Sequence, residues 1–361
     1  MHFYESSIIT TIDGLHCQVY GNEHPVNGIL VKPKYIPTEK LHSDALPYRF
    51  ISGRRMNRLN FWADKKYLKK YIEEFKAEYP EYIYKSTVHQ GNRLFFSVPI
   101  NKIERIYFPK KGLSELMGMP ANSLDEHLKT VHEFVNFLLG SGLKLNDFGV
   151  TYSTLMGHYL SNRSDINIVV YGKNNFWKLM DFLKKSSHPL LRWKNDEDWM
   201  QFYSGRNRFA IFTKEQFLKN MDRKKSEGFF NNTLFIIFGV ENEGEVWFKW
   251  NEEMYKELSL VTVQGTVADN FNSVVRPGCY EIKGSKITDG HEDVPVKKIV
   301  FYSRDYCMLA YNGEHIEACG LLELVTPKTG ESYYRVVVGY FDAYISDRRE
   351  KEYARVVNDD Q

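Results

Sequence analysis

The sequence predicts an α+β protein whose central domain, a mixed sheet with helices, is flanked by an N-terminal β-rich region and a C-terminal small antiparallel β barrel. Short strands with hairpin and proline signals come first, amphipathic helices alternate with apolar strands in the middle, and short strands separated by Gly, Asn and Asp turns fill the last third. At 361 residues the chain is too long for one ordinary core. We therefore place domains at 1–112, 113–245 and 246–345, followed by a charged tail at 346–361.

The composition is that of a soluble globular protein, with 43% apolar and 26% charged residues. A net charge of +2 excludes a strongly basic nucleic-acid scaffold but leaves room for a local basic patch. No apolar run approaches the roughly 20 residues that span a bilayer, and the four cysteines show no metal-ligand spacing. We therefore expect a cytoplasmic protein with reduced thiols and no membrane partner. The 24 Tyr and 24 Phe fit a β-rich core, with base-stacking platforms as the alternative.

The N-terminal region shows strand signals and one helix. In SIITTIDGLHCQVYG, the Asp13-Gly14 pair lies between two short strands and indicates a hairpin. The prolines of HPVNGILVKPKYIP predict an edge strand or a strand with irregular ends. Apolar residues at helical spacing predict a helix over 64–78, which Pro80 ends. A further strand pair is expected around YIYKSTV and RLFFSVP.

The central region shows the strongest helix signals. Residues 124–139 carry an apolar face, and Ser123 with Glu126 predicts a capping box at the start of this helix. A short helix over about 154–160, the strand INIVVYG and a second amphipathic helix over 174–185 follow. A helix near 213–225 and the strand TLFIIFG complete the region. This alternation predicts a sheet covered by helices.

The segment GVTYSTLMGHYLSNRSDINIVVYG, residues 149–172, carries the clearest functional pattern. Strand alternation directs the side chains of Asp165 and Asn167 to the same face. Two carboxylates at such a spacing can hold a divalent metal against a triphosphate, where the metal neutralises phosphate charge and orients the attacking group. A preceding turn with a small residue and a serine lets backbone N–H groups and a hydroxyl grip the phosphates.

This order of parts resembles the nucleotidyltransferase fold, the superfamily of DNA polymerase beta and the tRNA CCA-adding enzymes. A Gly-Ser turn, a short helix and an Asp-x-Asp strand make up the pattern, and Gly149, Ser153 and Gly157 occupy the turn and helix positions here. The chain is further similar to an archaeal-type family of predicted nucleotidyltransferases, through GLHCQVYGNEHP, PGCYEI, GEHIEACGLLELV and YYRVVVG. The resemblance implies a nucleotidyltransferase-fold central domain, Mg²⁺ as cofactor, Asp165 as catalytic residue and metal ligand, and phosphate contacts from Gly149, Ser153 and Thr154.

Three departures from the pattern put the reaction in doubt. The second metal ligand falls on Asn167, whose amide brings no negative charge, so the affinity for Mg²⁺ should be low. Tyr152 stands where the pattern expects a glycine that admits phosphate. The strand NNTLFIIFG, where a third carboxylate is expected, has none. We therefore expect a degenerate metal site.

Two basic clusters are further candidates for phosphate contacts. The stretch YRFISGRRMNRLNFW interleaves arginines with aromatic residues, which suits RNA contact, although a solvated loop is the alternative. Its candidate residues for nucleic-acid binding are Arg49, Arg54, Arg55 and Arg58. In the central region, Arg206 and Arg208 are candidates for phosphate binding, with a plain charged helix face as the alternative.

The leading hypothesis is a nucleotidyltransferase-fold protein, catalytically degenerate, that binds nucleoside triphosphate or RNA. The second is an active metal-dependent nucleotidyltransferase that modifies RNA or a protein through Asp165. The third is an interaction factor that associates with the ribosome or another complex. The C-terminal domain leaves two roles open, an oligonucleotide-binding barrel and a module that forms a homodimer.

Overall fold

The computed structural model describes residues 2–61, 63–90, 93–161, 163–204 and 211–357. Within these ranges the chain forms three sheets with helices packed mainly on the central one. The predicted α+β class is confirmed. No helix in the described ranges is long and apolar enough to cross a membrane.

The N-terminal stretch supplies nine strands and one helix. They are β1 (Ile8–Thr11), β2 (His16–Val19), β3 (Gly28–Pro37), β4 (Tyr48–Ile51), β5 (Arg54–Arg58), α1 (Lys65–Glu78), β6 (Ile83–Lys85), β7 (His89–Gln90), β8 (Leu94–Pro99) and β9 (Ile103–Tyr107). Eight of these strands form one sheet, in the order β4-β5-β3-β2-β1-β9, with β8 pairing β3 and β6. The predicted hairpin, the helix ended by Pro80 and the pairing of YIYKSTV with RLFFSVP are confirmed.

Of the two alternatives for HPVNGILVKPKYIP, the edge strand is wrong, and the structure is closer to the strand with irregular positions. β3 is central, since it pairs with β2, β5 and β8. Pro33 lies opposite Cys17, next to a register shift between His16 and Cys17, and Pro37 is the last residue of the strand. Irregular positions and strand ends are where a sheet accepts residues without an N–H donor.

The central region forms a five-stranded sheet in the order β10-β11-β14-β13-β12, in which β11 and β14 are parallel. Its elements are α2 (Pro109–Met117), α3 (Glu126–Leu139), β10 (Phe148–Val150), α4 (Tyr152–Met156), β11 (Ile166–Tyr171), α5 (Lys173–Lys185), β12 (Leu191–Trp193), α6 (Asp196–Ser204), α7 (Lys214–Asp222), β13 (Glu227–Phe230) and β14 (Thr233–Val240). The helix predicted over 154–160 is shorter and begins earlier. Asp125, rather than Ser123, caps α3 by accepting from Leu128 N–H.

The two faces of the central sheet have different environments. Ile166 and Ile168 of β11 pack with Phe134 of α3 and Leu179 of α5 in one apolar core. Strand alternation puts Asn167 on the opposite face, which α3 and α5 do not cover. That opposite face is directed toward the N-terminal sheet and forms one wall of the cleft described below.

The C-terminal sheet has seven strands in the order β20-β18-β19-β17-β16-β15-β7, and β15 also pairs with β18. Its own strands are β15 (Glu253–Asp269), β16 (Gly278–Asp289), β17 (Val296–Phe301), β18 (His315–Pro327), β19 (Tyr333–Val338) and β20 (Tyr353–Val357). The expected small antiparallel barrel is not borne out, because this sheet is mixed and includes a strand from another part of the chain. β17 and β19 are parallel, and β7 joins the sheet from the N-terminal stretch by a parallel pairing with β15.

Candidate functional site

A cleft of about 720 Å³ separates the free face of the central sheet from the N-terminal sheet. One wall consists of α4 and the strands β11 and β14, and the other wall consists of β2, β3 and β5. The volume lies within the range that small-molecule sites occupy. The segment with Asp165 and Asn167 lies in this cleft.

The cleft is strongly basic. Its lining includes one carboxylate, Asp165, and five cationic side chains. The cations are Lys32, Lys34, Arg49, Arg58 and Arg163. In the described part of the chain, three of these cations form no ion pair with a carboxylate: Lys34, Arg58 and Arg163. Since a cleft lined mainly by one sign of charge focuses the electrostatic field, this site favours anions.

Burial strongly affects the protonation of Lys34 in the cleft. It lies on β3, and its ammonium nitrogen is 3.6 Å from the ring centroid of Tyr152. Desolvation lowers the pKa of Lys34 well below its usual value of 10.5, Arg58 and Lys32 lower it further, and only Asp165 opposes them. An anion bound beside Lys34 would relieve this repulsion.

Asp165 and Asn167 lie side by side at the start of β11, as the spacing predicts. The Asn167 side chain is buried, and its amide nitrogen donates to the backbone carbonyl of Asp165 at 3.3 Å. Desolvation raises the pKa of the Asp165 carboxyl, while Arg58 and Lys194 act against the rise. The pair therefore supplies one carboxylate and one neutral amide, whose oxygen would bring no negative charge to a metal.

The surroundings of Asp165 do not fit a bound Mg²⁺ ion. On β14, Ile236 is level with Asn167, at the strand where a third carboxylate was expected. Glu227 is level with Ile236 on β13, but Lys194 neutralises it at 2.6 Å. Across the described ranges, no group of three or more His, Cys, Asp or Glu is placed to hold a metal ion. Hard divalent cations need several oxygen ligands with negative charge, which this cleft does not supply.

Tyr152 adopts a backbone conformation that suits glycine. Its φ is +56°, in the left-handed region, at the first residue of α4. Its hydroxyl accepts a hydrogen bond from the side-chain amide of Gln18 at 2.9 Å, and its ring supports Lys34. The glycine of the pattern would fit this φ without strain, so the tyrosine occupies the position at an energetic cost.

The three residues expected to grip phosphate are dispersed. Ser153 lines the cleft. The Thr154 hydroxyl instead pairs with the His127 ring at 3.0 Å, away from the cleft. Gly149 packs against the start of α2, where an added Cβ would lie 2.7 Å from Pro109. Close packing of backbone explains the glycine at position 149.

The arginines of residues 48–62 divide between two places. Arg49 and Arg58 line the cleft, whereas Arg54 and Arg55 do not. The guanidinium of Arg55 lies 4.0 Å from the Tyr48 ring centroid. Arg206 and Arg208 lie outside the described residues.

Lys32 and Lys34 are cleft residues that the sequence interpretation missed. Both lie on β3, two positions apart in an otherwise apolar strand, and so share one face. That alternation was the available signal. His158 also lines the cleft, with its ring 3.2 Å from the Tyr35 hydroxyl, and desolvation lowers its pKa to about 4.

Comparison with known proteins gives one relative along most of the chain. An uncharacterized protein of Methanocaldococcus jannaschii is 29% identical over 353 residues, which cover 94% of this chain and 98% of the relative. No family model matches the sequence. No solved structure matches it.

Proposed function

We propose that this protein is a nucleotidyltransferase-like protein that binds the phosphates of a nucleotide or of RNA in its basic cleft without metal-dependent transfer. The observation that carries the proposal is the charge of the cleft, five cations against one carboxylate. Phosphates are the anions that such an array of lysine and arginine side chains binds well. The retained turn, short helix and strand around Asp165 support the nucleotidyltransferase-like assignment of the central domain.

Lys34 performs part of the role that a divalent ion has in the active superfamily members. Its ammonium group lines the same cleft as Asp165, and desolvation, together with the neighbouring charges of Arg58 and Lys32, lowers its pKa. A phosphate group supplies a compensating negative charge. Binding is therefore expected to be as tight in a metal chelator as in Mg²⁺.

The test is titration of fluorescent single-stranded RNA and of nucleoside triphosphates, in chelator and in Mg²⁺, over a range of salt concentrations. Arg58→Gln should weaken RNA binding and reduce the salt slope by roughly 0.7, the value for one lost phosphate contact. Arg54→Gln is the matched control, because Arg54 lies four residues away on the same strand and outside the cleft. Absence of binding without metal, or equal losses in both variants, would contradict the proposal.

The retention of Asp165 in the cleft favours one second candidate, an active transferase with a rearranged ligand set. Incubation with radiolabelled nucleoside triphosphates, RNA or protein acceptors, and Mg²⁺ or Mn²⁺ distinguishes the two. Incorporation that Asp165→Ala abolishes would establish this candidate and overturn the metal-independent proposal.

A further inference from the structure

A second cavity, here called the chamber, adjoins the basic cleft and has a volume of about 260 Å³. Lys32, Phe61 and Tyr152 line both spaces, so the chamber and the cleft adjoin at these side chains. Its remaining walls come from the N-terminal stretch and the C-terminal region, and among the described residues Tyr152 alone lines it from the central region. The chamber is therefore not part of the segment that carries the nucleotidyltransferase pattern.

Aromatic rings dominate the walls of the chamber. Nine of its 16 lining residues are Phe or Tyr, which gives flat apolar surfaces on several sides. The rings of Tyr302 and Tyr340 are stacked with centroids 4.8 Å apart, and Phe341 meets Phe61 edge to face at 5.0 Å. Every nucleobase has a π-face that stacks on such rings.

Hydrogen-bond donors lie at another wall of the chamber. Arg276 and Arg304 both line it and both pair with one fully buried carboxylate, Glu5, at 3.2 and 2.6 Å. Within the described ranges, Nε of Arg276 and one terminal nitrogen of Arg304 are buried without an acceptor. The side chains of Arg276 and Arg304 nevertheless keep 11% and 18% of their surface exposed, so part of each guanidinium side chain remains accessible to a ligand. Asp305 also lines this wall and adds an acceptor.

We infer that the chamber is a base-binding site, which receives the nucleobase of a nucleotide whose phosphates lie in the basic cleft. This inference rests on the proposed function. The aromatic walls stack on the base, and the guanidinium N–H groups donate to its carbonyl and ring nitrogen acceptors. The two spaces share lining residues, so one ligand can reach from the cleft into the chamber. A duplex cannot enter, because its bases are already paired and stacked.

The experiment compares nucleoside triphosphates with inorganic tripolyphosphate, which fills the cleft but has no base. Calorimetry on the full chain in chelator should show nucleotides binding about tenfold or more tightly than tripolyphosphate. Tyr344→Ala, at a half-buried ring of the chamber, should remove most of that advantage and leave tripolyphosphate affinity unchanged. Tyr67→Ala is the matched control, because Tyr67 is an exposed tyrosine on α1 outside the chamber. Tyr344→Phe should retain the advantage.

A second readout detects stacking directly. The fluorescence of 2-aminopurine riboside triphosphate should be quenched on binding to the wild-type protein and to Tyr67→Ala, and much less in Tyr344→Ala. Short oligonucleotides that carry 2-aminopurine at either end distinguish the source of the nucleotide. Quenching with the free triphosphate alone identifies a mononucleotide site, and quenching at one oligonucleotide end identifies a strand-end site; both support the inference.

The failures of the two proposals are distinguishable. Equal affinity for tripolyphosphate and nucleotides, without quenching, overturns the base-binding site and leaves the phosphate-binding cleft in place. Failure of both ligand types to bind overturns the proposed function and the inference with it. A nucleotide advantage that survives in folded Tyr344→Ala also overturns the chamber assignment.

Discussion

The ammonium nitrogen of Lys34 lies 3.6 Å from the ring centroid of Tyr152. The contact joins the N-terminal sheet to the first residue of α4, on the two sides of the cleft. It gives a cation–π interaction to a lysine that has no ion-pair partner among the described residues. The position that the nucleotidyltransferase pattern reserves for glycine thus holds a side chain that supports a charge.

Proton uptake should accompany ligand binding at Lys34. The pKa of Lys34 is lower in the folded protein than in the unfolded chain, so the folded protein binds fewer protons between the lowered pKa and 10.5. The contribution of Lys34 to the free energy of unfolding therefore rises with pH across that window. An anion favours the ammonium form and raises the pKa, so binding takes up a proton and weakens as pH rises. Calorimetry at alkaline pH in buffers of different ionisation enthalpy measures the uptake. Lys34→Arg should bind without that proton, and identical proton uptake in both proteins would refute the assignment to Lys34.

Replacing Asp165 by asparagine should strengthen anion binding. Among the described residues the variant removes the one carboxylate that lines the cleft, and relief of about 1 kcal/mol of repulsion corresponds to roughly fivefold tighter binding. Titration with tripolyphosphate in chelator measures the effect. Asp289→Asn, at an exposed residue of β16, should change nothing. Weaker binding by the Asp165 variant would show that the carboxylate helps to hold the ligand.

The backbone strain at Tyr152 predicts that glycine is more stable than alanine at this position, the reverse of the usual order in a helix. At a φ of +56°, Tyr152→Gly should be about 1 kcal/mol more stable than Tyr152→Ala, since alanine pays for the left-handed conformation. Ser153, the next residue of α4, has no positive φ, so Ser153→Ala should be about 1 kcal/mol more stable than Ser153→Gly there. Urea denaturation of the four variants measures both differences. If glycine and alanine ranked in the same order of stability at both positions, Tyr152 would not be strained.

Substitution at Gly149 should separate folding from phosphate binding. An added Cβ would lie 2.7 Å from the carbonyl carbon and Cβ of Pro109, so Gly149→Ala should lose about 1–3 kcal/mol of stability. The folded fraction should still bind tripolyphosphate normally. Gly118→Ala, where an added Cβ has ordinary contacts at 3.5 Å, is the control for stability. If Gly149→Ala had normal stability but lost affinity for tripolyphosphate, Gly149 would have the phosphate-binding role that the pattern implies.

The sequence predicted best those elements in which apolar residues recur regularly over many positions. The helices α1, α3 and α5 and the strands β11 and β14 follow directly from such patterns, because each buries one face or a whole strand in a local core. Short-range signals were less reliable. Asp125 competes with Ser123 as the cap of α3, and the prolines of β3 are accommodated in a central strand by its irregular pairing.

The candidate site could be predicted only in part. Asp165 and Asn167 are visible in the sequence because two residues on one strand share a face. The meeting of Lys34 with Asp165, and of Phe61 with Phe341, depends on how distant elements pack, which no local pattern encodes. For the same reason Arg54 and Arg58 appeared equivalent in the sequence, although only Arg58 lines the cleft.

The pairing of β7 with β15 has a consequence for the order of events during synthesis. Tyr255 and Lys256 complete a strand pair that His89 and Gln90 begin, and Arg93 forms ion pairs with Glu257 and Asp342. During synthesis, β7 and the buried Arg93 therefore have no pairing partners until residues 255–257 and Asp342 have been made. Contacts of such long sequence separation slow folding and leave edges exposed in the meantime. A fragment released before residue 250 would thus emerge as an incomplete, aggregation-prone piece rather than as a smaller working protein.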